Sequence, residues 1–141
     1  MIMVPPKQFR LLDRSLRRVV DARLPLATHF YGRLFAAHPA LRPLFPTDLT
    51  AQQRKFEDML VVLVSGLTVP DGVAGALRQL AVSHIGYGAK PEHYPVVAEV
   101  LMDSLRTLPG AGLLPEELGA WSGLLDTMVY VLVEETRAAM T

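Results

Sequence analysis

Apolar residues recur at three- and four-residue steps through nearly all of this 141-residue chain. That period matches one face of an α-helix and not the alternation of a half-buried strand. Phe9, Leu12, Leu16 and Val19 form the first such stripe, behind Pro5 and Pro6, where a helix start tolerates proline. Prolines and glycines cut the rest of the pattern, and the spacing predicts about seven helices. A second helix begins near Pro25 and carries Leu26, Phe30, Leu34 and Phe35 inward. A short piece, Pro39 to Phe45, stops at Pro46. Thr50 is the expected cap of the next helix, whose stripe is Phe56, Met59, Leu60, Leu63 and Leu67. The turn VPDG, Val69 to Gly72, breaks it. Leu77, Leu80, Ala81 and His84 share the following stripe, which ends at Gly86 and Gly88. Pro91 opens a helix holding Tyr94, Val97, Leu101 and Leu105, and the segment Pro109 to Gly112 closes it. Pro115 starts the last helix, with Glu116 and Glu117 in its first turn, where acidic side chains suit the macrodipole. Its inward face includes Leu118, Trp121, Leu125, Met128 and Leu132.

No segment alternates with period two around hairpin turns, and no repeat or linker interrupts the chain. The expectation is one all-α domain over residues 1–141. Half of the residues are hydrophobic, and fourteen basic residues balance fourteen acidic ones. Such a composition argues against disorder and against an electrostatic footprint for nucleic acid. Cysteine is absent, so thiolate metal sites, disulfides and a cysteine nucleophile are excluded. No apolar run is long enough to span a bilayer, and the first residues lack a signal-peptide pattern. A soluble, cytoplasmic protein is the expectation, with no membrane partner.

The hydrolase, phosphate-loop, dinucleotide and zincin motifs are all missing. Four histidines remain: His29, His38, His84 and His93. Only His84 falls in register with an apolar helical stripe. Taken alone, it reads as a buried histidine satisfied by a carbonyl.

Its context is more specific. The stretch HIGYGAKPEHY, His84 to Tyr94, resembles the proximal region of bacterial single-domain globins related to the globin domain of flavohaemoglobins. FYGRLFAAHPALRPLF, Phe30 to Phe45, resembles that family's second and third helices. TAQQRKF, Thr50 to Phe56, is similar to the start of its distal helix. Together the stretches follow family order and spacing from about Phe9 to the last helix. The resemblance implies a globin fold, a three-over-three helical sandwich around haem b (iron protoporphyrin IX). It also implies that His84 is the axial ligand of the iron. Tyr94 matches a tyrosine that joins a glutamate and this histidine in a proximal network. Glu134 is the nearest candidate for that glutamate, although it is offset by about a residue from the family spacing; a solvated glutamate is the competing reading.

Tyr31 and Gln52 match the family's distal tyrosine and glutamine. A phenol O–H and an amide N–H both donate to a ligand that carries negative charge. Each such bond contributes roughly 1.5–3 kcal/mol, about tenfold or more in dissociation. Gln53 is the adjacent alternative, but only the Gln52 spacing puts an apolar residue, Phe56, one turn on. Phe45 resembles the aromatic residue that packs flat on haem. Leu60, Val97, Leu101, Leu125 and Met128 are expected to line the pocket or simply the core. Phe56 departs from a more usual leucine, and Ala89 from a bulkier aliphatic residue. Arg54, Lys55 and Lys90 are candidates for pairing with the haem propionates.

The leading function implied is reversible binding of O2 and other diatomic gases such as NO and CO. A second is nitric-oxide dioxygenase chemistry served by an external flavin reductase, because the chain carries no flavin or nucleotide fingerprint. Gas or redox sensing and a cofactor-free helical scaffold are further alternatives. A monomer and a homodimer are both open.

Overall fold

A computed structural model describes residues 4–68 and 73–139. Helix α1 spans Pro6–Asp21, α2 Leu26–Ala37, α3 Thr50–Gly66, α4 Ala74–Gly86, α5 His93–Thr107 and α6 Pro115–Ala139, with a 3₁₀ helix at Pro39–Leu44. No strand occurs among the described residues. The turn expected at Val69 to Gly72 lies outside them.

Helix α6 is the scaffold: α1, α4 and α5 all pack on it. On the other side α2 packs on α5, α3 and the 3₁₀ helix, and α3 also meets α1. The core lies between, built from the predicted stripes; Leu12, Leu34 and Leu77 are wholly buried. Trp121 is buried as well, and its indole N–H donates to Ser15 Oγ at 2.8 Å. That bond joins α6 to α1 and satisfies the one polar atom of a large apolar side chain.

The helix starts differ from expectation in three places. Thr50 is the first residue of α3 and makes no cap; the carboxylate of Asp48 accepts the Thr50 N–H at 3.0 Å instead. Helix α5 begins at His93, because Pro91 and Glu92 form a turn ahead of it. Pro95 then sits in the first turn, where an N–H has no helical acceptor to lose. Glu117 is no surface complement to the macrodipole. It is fully buried, bonded to Arg18 Nη2 and Arg14 Nε at 2.9 and 2.8 Å and to the Leu114 N–H at 2.8 Å. Burial alone would raise this carboxyl. Hydrogen bonds from Arg18, the Leu114 N–H and Arg14 overcome that penalty and hold it at about 2, below its ordinary 4.5.

Candidate functional site

A cavity of about 440 Å³ opens between α2, the 3₁₀ helix and α3 on one side and α4, α5 and α6 on the other. Its walls are mainly apolar, and the polar groups on them are few.

His84 stands in the last turn of α4. Its Nδ1 lies 2.7 Å from the Leu80 carbonyl oxygen. A carbonyl only accepts, so Nδ1 carries the proton and the Nε2 lone pair is free for a Lewis acid. The chain then turns sharply: the Ala89 N–H bonds back to the His84 carbonyl at 2.9 Å, and Gly88 adopts φ +88°, a conformation that favours glycine. This turn brings α5 back against the histidine. The Tyr94 ring lies 5.7 Å from the imidazole, centre to centre, tilted by 60°.

Tyr31 and Gln52 meet on another wall. Gln52 Nε2 donates to the Tyr31 hydroxyl oxygen at 3.2 Å. The phenol therefore accepts from the amide and keeps its own proton to donate. Burial pushes the Tyr31 phenol above its ordinary 10.0, and the weaker pull of the Gln52 bond does not reverse this. Aromatic rings hold the pair in place. Tyr31 makes edge contacts with Phe45 and Phe56, at 5.6 and 5.7 Å. Phe56 stacks on Phe30 at 4.6 Å, nearly parallel. An aromatic side chain at position 56 thus fills space beside the donors and is braced by α2.

Phe45, Leu60, Val97, Leu101, Leu125 and Met128 also line the cavity. Lys55 and Ala89 are at its wall, whereas Arg54 and Lys90 are exposed and do not line it. The volume lies in the range of organic cofactor sites, about 300–1,000 Å³. Among the described residues no three ligand-type side chains gather to hold a bare ion. One free imidazole nitrogen in an apolar crevice suits a metal that arrives in its own flat macrocycle, and haem fits that donor set.

The globin family model matches residues 28–132. The chain belongs to the globin family. It is 26% identical over 133 residues to a flavohemoprotein of Rhizobium meliloti, a match covering 86% of this chain and 33% of that protein. This globin therefore spans about a third of the length of such relatives. Among solved structures it resembles a bacterial globin from Campylobacter jejuni, at TM-score 0.83 and 16% identity over 96% of this chain and 99% of that one. An engineered carbene transferase, made from a candidate nitric oxide dioxygenase of Rhodothermus marinus, gives TM-score 0.83 and 22% identity over 98% and 96%. At those identities the two structures show the fold alone.

Glu134, the candidate proximal glutamate, is exposed and lies 3.9 Å from Arg137, as in its solvated reading. The Tyr94 hydroxyl instead shares a buried 2.8 Å hydrogen bond with the hydroxyl of Thr136. Helical phase explains this: Met128, Leu132 and Thr136 succeed one another at four-residue steps on one face of α6, while Glu134 lies about 200° round from Leu132. That stripe, extended by one more step, was the signal for Thr136. Phe30 was assigned only to the core, although it lines the cavity.

Proposed function

We propose that this globin binds haem b and reversibly takes up O2 and other diatomic gases. When bound, haem would supply an iron able to coordinate an imidazole and a small diatomic ligand. His84 would hold it through Nε2, oriented by the Leu80 carbonyl. Phe45 and the aliphatic walls exclude water from the crevice. Lys55, at the cavity wall, would pair with a propionate. Tyr31 would donate its phenol proton to a charge-bearing ligand, and the Gln52 amide, already bonded to that phenol, would hold it in place. The observation that carries this reading is the pairing of two sites on one cavity: a histidine with a free nitrogen, and a buried phenol whose proton no protein group takes.

The test is the visible spectrum of the haem-loaded, ferrous, anaerobic protein. A five-coordinate, high-spin haem that binds O2 and CO reversibly is expected, and His84→Ala should abolish that axial ligation. Unchanged spectra in the variant, or no uptake of haem, would overturn the assignment.

A second reading is supported by the flavohemoprotein relatives: oxidation of NO to nitrate, in which NO, O2 and one electron give NO3−. The electron would come from a separate flavin reductase. Sustained NADH-dependent NO consumption on addition of such a reductase supports it; loss of NO in a single turnover only would reject it.

A further inference from the structure

The inference concerns the histidine side of the cavity, and it rests on the haem-binding reading above. Two hydrogen bonds define that side. His84 Nδ1–H donates to the Leu80 carbonyl at 2.7 Å, within its own helix. The Tyr94 hydroxyl is 2.8 Å from Thr136 Oγ1 in a fully buried contact. Both Tyr94 and Thr136 are buried. The two carboxylates nearest in sequence do not reach them. Glu134 faces solvent beside Arg137, and Glu135 makes no hydrogen bond to either ring.

We infer that Thr136 is a positioning residue that ties up the Tyr94 phenol, so that a neutral carbonyl is the sole acceptor fixing His84. The chemical consequence follows from the acceptor. An anionic acceptor draws on the imidazole N–H and strengthens donation from the opposite nitrogen to a metal. Strong axial donation assists cleavage of an O–O bond. A backbone carbonyl is uncharged and leaves His84 an ordinary imidazole ligand. The hydroxyl pair contributes no charge either. This arrangement tunes the site toward holding and releasing a diatomic ligand intact.

The measurement is the iron–histidine stretching band in the resonance Raman spectrum of the haem-loaded, ferrous, unliganded protein. The unsubstituted protein should show one band in the range of neutral imidazole ligands. Thr136→Ser keeps a hydroxyl and should keep the band. Tyr94→Phe should leave it unshifted, because the phenol gives nothing to His84. Thr136→Ala releases the Tyr94 phenol from its partner and should shift the band, and adding Tyr94→Phe to that variant should abolish the shift. An already raised band that falls in Tyr94→Phe would overturn this inference and leave haem binding intact. A folded, loaded Thr136→Ala protein with an unmoved band would do the same. Absence of any iron–histidine band would overturn this inference and the reading beneath it together.

Discussion

The corner where α1 meets α6 and the cavity between α2 and α5 treat buried polar groups in opposite ways. At the corner every group is spent. Glu117 takes hydrogen bonds from two arginines and a backbone N–H, and Trp121 donates to Ser15, whose own hydroxyl is bonded within α1. In the cavity, capacity is held back. His84 keeps a lone pair, Tyr31 keeps a proton, and the Gln52 amide uses only one N–H on Tyr31. Satisfied groups lock two helices together. Reserved ones leave binding free energy for something that arrives later. The difference separates residues whose loss unfolds this globin from residues whose loss changes what it holds.

Four experiments sharpen or break that contrast. The largest effect should come from Glu117→Ala. It takes their shared acceptor from Arg18, Arg14 and the Leu114 N–H, and the loss of these charge-assisted hydrogen bonds should cost about 3 kcal/mol. Denaturant unfolding measures it, while the spectrum of surviving folded protein should be unchanged; a loss under about 1 kcal/mol would make the corner a surface feature. Acid comes next. Because Glu117 is held at about 2 in the folded chain against 4.5 ordinarily, its contribution is complete above pH 4.5. It fades as pH falls from there toward 2, by roughly 3 kcal/mol in all. Unfolding followed against pH should show that slope, and Glu117→Gln should flatten it.

The cavity variants should do the reverse. Tyr31→Phe removes the phenol proton and should speed O2 release from the haem-loaded protein tenfold or more, equivalent to about 1.5–3 kcal/mol. CO, which carries less charge, should be affected less. Equal effects on both gases would mean that Tyr31 acts by bulk and not by donation. The smallest change is Trp121→Phe. It loses the bond to Ser15 Oγ, and a drop of about 1 kcal/mol in stability is expected with no effect on gas release. A changed release rate there would show that the two regions are coupled.

Much of the fold was legible because helical period and its punctuation are local. Pro25, Pro39 and Pro115 each stand at or beside an observed element boundary, and Pro46 lies two residues past the 3₁₀ helix. The boundaries that moved did so for local reasons as well: Asp48 bonds to the Thr50 N–H, and Pro91 forms a turn before α5 instead of opening it. About half of the cavity wall could be named in advance through the family resemblance, which places residues in order along the chain. His84, Tyr94, Tyr31 and Gln52 do line one cavity. Order along the chain is a weaker guide near the end of a long helix. In α6 an offset of two residues turns a side chain by about 200°, from the tyrosine to solvent.

The sequence by itself determined which segments are helical, which face of each is apolar and where turns interrupt them. Those properties depend on neighbours a few residues apart. Only the tertiary structure decided that Thr136 and not Glu134 meets Tyr94, 42 residues earlier. It also decided that Glu117 is buried by arginines about a hundred residues away. Periodicity gives a helix its inner face but not the side chain that waits opposite it. That partner is chosen when helices distant in sequence dock, and the docking sets which polar groups are consumed and which stay free to bind.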